Sequence, residues 1–307
     1  MSLNKIPHYQ IRNYVSNDAE QIGTFDNLLE LSYKYNPDFL PSNIFCAVDS
    51  DEEILGVGHI EPHETWHLIE KENVSSDFIY RLLLRISLNP KYANSESIKG
   101  NILKQLIIRA KEIRQQYPDK KIRLFTWIDS TELDEMDFYL AHGFATYSNS
   151  LVMKYDLTMD IPDVPQPDGI TVKENNMVTE EELQRYYNAA SIAFSGVVWS
   201  LNYIRWMKCG PEWKNFSAFY GDQLVGNTMT WMIEPDHSTS EDIFVLPEWR
   251  NRGIAKYVIT EALKYLKKQG KALATLSVYG DNVTAISLYN SLGYRMHYMM
   301  IECGYDL

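Results

Sequence analysis

The stretch HETWH, residues 63–67, matches the HExxH pattern, in which two histidines hold zinc and a glutamate activates the metal-bound water. That chemistry needs a helix, where spacing i, i+4 puts both imidazoles on one face. A second stretch, DIFVLPEWRNRGIAKYVITEALKYLKKQG (242–270), offers different chemistry. A β-branched and aromatic strand breaks at Pro247, and a basic turn, RNRGIA, follows. Tyr257, Val258, Ala262, Leu263 and Leu266 then recur at helical spacing until Gly270. Strand, basic turn and helix N-terminus together make an anion site. The unpaired N–H groups of the first turn and the macrodipole point at it, Gly253 admits close backbone approach, and Arg250, Arg252 and Lys256 supply positive charge. No GxxxxGK[ST] appears, which excludes the nucleotide-hydrolysing P-loop, and GVGHIE at Gly56 lacks the third glycine and following helix of a dinucleotide fingerprint.

The elements that must position these residues are written twice. FCAVDSDEEILGVGHIEP (45–62) and FSAFYGDQLVGNTMTWMIEP (216–235) each alternate apolar and polar residues around a turn, hold Gly56 or Gly226, and end Ile-Glu-Pro, the pattern of a β-hairpin. ISLNPKY (86–92) corresponds to IFVLPEW (243–249), and DFYLAHGF (137–144) to SLYNSLGY (287–294), with Gly143 or Gly293 as a helix C-cap. The order is kept, which predicts a duplicated domain. Between the copies, TMDIPDVPQPDG (158–169) reads as a proline-rich linker. HETWH occupies the slot of DHSTSED, so it is expected in a turn between strands, where the zinc geometry fails.

The chain has 307 residues, 45% hydrophobic and 23% charged, with formal net charge −12. It is therefore globular, and nucleic acid or an anionic membrane is not the expected partner. Cys46, Cys209 and Cys303 are scattered, with no CxxC pair, so no disulfide framework or thiolate zinc site is indicated. The N-terminus lacks an apolar signal core and no run approaches a bilayer-spanning length, which predicts a soluble, cytoplasmic protein.

The C-terminal half resembles the GCN5-related N-acetyltransferase (GNAT) family. That family's acyl-CoA signature is a strand ending V-x-P followed by R/Q-x-x-G-x-G/A at a helix head, matched by Val245, Pro247, Arg250, Gly253 and Ala255. A second segment, LSVYGDNVTAISLYNSLGY (276–294), also matches. The resemblance implies a mixed α/β fold of two tandem GNAT-like domains, each a twisted, mostly antiparallel sheet flanked by helices. Their expected bounds are a degenerate copy over 1–160, a linker over 161–168 and a catalytic domain over 169–307. It implies acetyl-CoA as donor, with no metal. The backbone of Phe244 and Val245 would hold pantetheine and the acetyl carbonyl. Arg250 opens the signature, and Asn251, Arg252, Gly253, Ile254, Ala255 and Lys256 would hold the pyrophosphate. Asn282 would contact the cofactor arm, and Tyr289 would sit beside the sulfur as the catalytic acid. A phenol of pKa ~10 can hydrogen-bond or protonate the departing sulfur, whose thiol has pKa ~8.5.

A general base for the amine is sought in Glu241 and Asp242, since Ser277 stands where many members carry glutamate. In the first copy Ala93 falls at the Arg250 slot and Glu96 at the Gly253 slot, and a carboxylate there repels phosphate. Tyr139 remains in the Tyr289 slot. An aromatic run, Tyr186, Tyr187, Phe194, Trp199, Tyr203, Trp206 and Trp213, could wall an acceptor site by cation–π attraction or pack as core. The expected function is acetyl transfer to a primary amine of a small molecule or peptide by direct attack. Alternatives are a CoA-binding regulatory module without turnover, a zinc-dependent hydrolase using HETWH, and a thiol-linked amine acceptor as in the tandem mycothiol synthases, which the architecture resembles.

Overall fold

The computed structural model describes residues 6–71 and 74–307. The first run of elements is β1 (Tyr9–Asn13), α1 (Ala19–Gly23), α2 (Asn27–Tyr35), β2 (Ile44–Asp49), β3 (Ile54–Pro62), β4 (Ile79–Leu88), α3 (Glu96–Gln115), β5 (Lys121–Asp129), α4 (Leu133–Ala141) and β6 (Ala145–Asp156). The second is β7 (Ile170–Glu174), α5 (Glu180–Ala193), α6 (Leu201–Met207), β8 (Lys214–Tyr220), β9 (Gln223–Glu234), β10 (His237–Val245), α7 (Ile254–Lys268), β11 (Leu273–Tyr279), α8 (Val283–Leu292) and β12 (Arg295–Asp306). The two runs have the same order of strands and helices. Each is mixed α/β, with strands pairing antiparallel except for one parallel contact per run, β4 with β5 and β10 with β11.

Two compact units emerge from the contacts, and they cut across the two sequence copies. One holds residues 1–127, 133–146 and 303–307; the other holds 128–132 and 147–302. In the first, strands run in the order β1-β2-β3-β4-β5; in the second, β12-β6-β11-β10-β9-β8-β7. The strand that closes the first copy, β6, thus lies in the second unit, antiparallel to β11 from Leu273↔Asp156 to Tyr279↔Ser150. Met153 and Tyr155 of β6 are buried in the same core cluster as Leu276 and Leu292.

The second unit is built around α7, whose Ile254, Val258, Ile259, Ala262, Leu263 and Leu266 are buried at helical spacing. Each of the Ile, Val and Leu side chains taken from water stabilises the unit by about 1.5–3 kcal/mol. Gly226 lets the helix come close: a Cβ there would meet Ile254 Cγ2 at 3.1 Å and the Phe244 carbonyl at 3.3 Å. Gly56 does the same in the first unit, where a Cβ would meet Leu88 at 2.5 Å and Ile102 of α3 at 3.3 Å. Helix–sheet contact distance explains why both hairpins carry glycine at that point. The linker is not a free tether. Ile161 and Val164 pack on the core of the second unit, and Lys267 of α7 donates to the Met159 carbonyl at 2.7 Å.

HETWH follows β3 as a turn, with a short 3₁₀ segment at Trp66–Leu68. His63 and His67 therefore do not share an α-helical face. The His63 ring packs edge-on to Phe125. No helix among the described residues is long and apolar enough to cross a membrane.

Candidate active site

Strand β10 is where the second unit departs from regular structure. Its parallel pairing with β11 runs only from His237↔Leu273 to Ser240↔Leu276, although both strands continue. Its pairing with β9 slips between Glu241 and Phe244, and Asp242 there takes φ +50°. A β-bulge of this kind bends the strand and re-aims side chains. The two strands consequently part beyond Ser240. Fully buried Tyr186 of α5 donates its hydroxyl to the Asp242 carboxylate and packs against Phe244, which fastens the bulge to the helix above it.

The turn after β10 prepares an anion site. Asn251 (φ +62°) and Gly253 (φ +81°) both lie in the left-handed region, a backbone form that turns successive N–H groups toward one point. Gly253 is the N-cap of α7 and no side chain caps the helix, so the N–H groups of Ile254, Ala255 and Lys256 stay available at its positive end. In five other helices a side chain takes up one such donor: Asp26, Ser95, Thr179, Ser200 and Asn282 cap α2, α3, α5, α6 and α8, whereas α1, like α7, has no side-chain cap.

The turn, the parted strand and α8 line one cavity of about 850 Å³. Of the residues expected at the site, Phe244, Val245, Arg250, Asn251, Gly253, Ile254, Ala255, Lys256, Asn282 and Tyr289 all face it. Burial pushes the Tyr289 phenol up to about 12, so it is a neutral donor across the working pH range. No described protein group accepts its proton. Asn282 Oδ1 is engaged as the cap, accepting from Ala285 N at 3.1 Å, which leaves its amide nitrogen for a ligand. Glu241, two residues before the cavity-lining Ile243, has its carboxyl raised to about 7. Burial is the main cause, the adjacent Asp242 charge adds to it, and Trp231 opposes it. Neither Glu241 nor Asp242 lines the cavity wall.

Comparison with known proteins identifies this arrangement. Residues 178–294 match the model of the acetyltransferase (GNAT) family, the segment that carries α5, the bulged strand, the anion turn and Tyr289. By this match the C-terminal half carries a GNAT acetyltransferase segment. An uncharacterized N-acetyltransferase of Methanocaldococcus jannaschii is 29% identical over 103 residues, 32% of this chain and 46% of that protein. The mycothiol acetyltransferase of Geodermatophilus obscurus is 23% identical over 215 residues, 66% of this chain and 68% of that one. Among solved structures, a tandem GNAT protein from the clavulanic acid biosynthesis pathway has TM-score 0.67 at 14% identity, covering 97% of this chain and 98% of that one.

Within this GNAT scaffold several expectations need correction. Arg250 does not hold its charge free for a ligand: Nε donates to the Val245 carbonyl at 3.1 Å and Nη2 to the Ala193 carbonyl at 2.8 Å. It ties the strand end to α5, and the Val245 carbonyl is thereby occupied within the protein. Arg252 lies off the cavity, stacked over the Trp249 ring at 4.8 Å and donating to the Glu248 carbonyl. The aromatic run is largely core. Tyr186 is buried and Tyr187, Trp199, Tyr203, Trp206 and Trp213 pack on the same cluster; of the seven, only Phe194 lines the cavity. Ser277, in the slot where a glutamate was sought, bonds its hydroxyl to Ser150 at 2.7 Å.

In the first unit the cap opposite Gly253 is Ser95, one residue earlier than the proline-to-helix spacing suggests. Its Oγ accepts from Ile98 N at 3.4 Å, so a hydroxyl takes up a donor that α7 leaves open, and Glu96 follows as the first helical residue. Tyr139 is buried, its phenol held far above the ordinary range by desolvation. The sequence carried signals for the turn and for Tyr289, whereas the Tyr186–Asp242 tie joins residues too far apart in the chain for spacing to reveal.

Proposed function

We propose that the C-terminal copy, 169–307, transfers an acyl group, in the first instance acetyl, from its CoA thioester to a primary amine of a small molecule or peptide, with the 1–160 copy as a degenerate partner joined through 161–168. One observation carries this: an uncapped helix start, a parted β-strand pair and an unpartnered phenol converge on a single cavity. The anion turn suits the pyrophosphate, held by the backbone of Asn251, Gly253, Ile254 and Ala255 with Lys256. The groups left open on the parted strand at Phe244 suit the pantetheine amides, and the Asn282 amide the same arm.

Direct attack forms a C–N bond and breaks the C–S bond. Glu241, poised near neutrality, takes the proton the amine must lose, through an intervening water because it stands back from the cavity. Asp242, held by Tyr186, keeps a second negative charge beside it and favours an ammonium-bearing acceptor. Tyr289 faces the sulfur. Full proton transfer from a phenol at about 12 to a thiolate whose thiol has pKa ~8.5 is uphill by about 5 kcal/mol. Tyr289 therefore acts by hydrogen bonding to the charge that develops on sulfur.

The test combines thermal unfolding with and without acetyl-CoA and release of free CoA thiol against a panel of primary amines. Acetyl-CoA at 100 times its Kd should stabilise the wild type by about 2.7 kcal/mol, and Gly253→Glu should abolish that gain. Stabilisation without thiol release from any amine would replace turnover by binding alone, and no stabilisation would remove the donor assignment.

A further inference from the structure

Helix α5 is fastened to β10 on each side of the segment whose backbone is left open where the strands part. At the near end, fully buried Tyr186 donates its hydroxyl to the Asp242 carboxylate. At the far end, Arg250 donates both to the carbonyl of Ala193, where α5 finishes, and to the carbonyl of Val245. Phe244 lies between, packed on the Tyr186 ring at 5.8 Å and the Phe194 ring at 5.7 Å between centroids. We propose that Tyr186 is a positioning residue for acyl transfer: through Asp242 it fixes the bulge, and with it the open backbone at Phe244 and the stance of Glu241. This rests on the acyl-CoA reading above. It adds a residue that does not itself line the cavity.

The spans of helix and strand match. From Tyr186 to Ala193 the helix rises about 10.5 Å, and from Asp242 to Val245 an extended strand covers about 10 Å. A helix of fixed pitch is thus the ruler for the open segment. Its start is closed by a capping box, Thr179 with Glu182, which keeps the first turn from fraying.

The bulge needs such a hold. Asp242 takes φ +50°, which costs free energy for a residue with a Cβ. The strand there has slipped register with β9 and has lost its pairing with β11 beyond Ser240. A residue in that state persists where its surroundings over-determine it, and a hydroxyl bond to a carboxylate belongs to the stronger, charge-assisted class. Burial and the Asp242 charge hold the Tyr186 phenol well above its ordinary value, so it stays a donor across the working pH range. The first unit shows the strand without this feature. There β3 and β4 pair in unbroken register from Gly56↔Leu88 to Pro62↔Leu82, and none of the described residues of β4 takes a positive φ.

A double-mutant cycle on acetyl-CoA, read both as kcat/KM and as Kd by isothermal titration, tests the role. Tyr186→Phe keeps the ring and should weaken both readings roughly tenfold or more, the scale of a hydrogen bond to a charged group. The same change made in an Asp242→Ala background should cost nothing further, because its partner is already gone. Leu183→Ala, one turn earlier on α5 and also buried, should lower the unfolding midpoint while leaving both readings as in wild type. Tyr186→Phe with wild-type readings overturns the proposal, as does a penalty of equal size in the Asp242→Ala background. A loss of the same size in Leu183→Ala also overturns it, since that marks helix packing rather than positioning. In each of those cases wild type still binds acetyl-CoA, and the donor reading stands. A wild type that neither binds nor turns over acetyl-CoA takes down the donor reading, and the positioning role falls with it.

Discussion

Replacing Glu241 with glutamine should make the protein more stable and less active at once, and both effects come from the same buried carboxyl. Its ordinary value near 4.5 is raised to about 7 in the folded chain. Between those values the folded protein binds more protons than the unfolded chain, so stability falls as pH rises from about 4.5 and levels off above about 7. The displacement corresponds to about 3 kcal/mol at full ionisation, a ceiling because relaxation and water penetration around the ionised carboxylate lower the effective penalty. Glutamine keeps the shape and removes the charge. Denaturant unfolding from pH 4 to 9 should therefore show wild type and Glu241→Gln alike near pH 4 and the variant ahead by 2–3 kcal/mol, to order of magnitude, at pH 8. In turnover, wild-type kcat/KM should climb about tenfold between pH 6 and pH 8 as the base ionises, and the variant should lose that limb together with about a hundredfold or more of rate. Parallel stability profiles for the two proteins would refute the argument, because a carboxyl that folding does not displace cannot cost the fold anything. A wild-type rate independent of pH through 7 would separately remove Glu241 as the base.

Tyr289→Phe should lower kcat by about a hundredfold with KM for acetyl-CoA and the unfolding midpoint unchanged, since the hydroxyl makes no hydrogen bond among the described residues; stopped thiol release beside a melting curve checks both. Gly226→Ala should destabilise the second unit by about 1–2 kcal/mol, because the added methyl meets Ile254 and the Phe244 carbonyl, and should weaken acetyl-CoA binding as the first turn of α7 is pushed off the strand. Chemical denaturation and calorimetry measure the pair, and a variant of wild-type stability would mean that the close approach of helix and sheet is not needed.

Much of this molecule is legible locally. The alternation around Gly56 and Gly226, the prolines that end β4 and β10, the apolar spacing of α7 and the glycine that opens it are short-range patterns, and short-range patterns are what backbone sterics and helix periodicity read directly. The duplication follows from them, as does the anion turn. The Ser95 cap shows the limit even of local reading: a one-residue difference in the turn exchanged a repelling carboxylate for a self-satisfying hydroxyl, and spacing from a distant proline could not resolve it.

What the sequence by itself determined is therefore the order of elements, the residues of the anion turn and the phenol of Tyr289, all set by neighbours within a few turns of chain. Tertiary structure alone decided the rest. It put β6 beside β11 rather than with its own copy, because strand pairing follows register and buried faces rather than chain order. It raised Glu241 by removing water, joined Tyr186 to Asp242 across the bulge, spent the charge of Arg250 on two carbonyls, and turned Arg252 toward the linker. Each of those depends on desolvation or on contacts between segments far apart in the chain, which the identity of a residue does not contain.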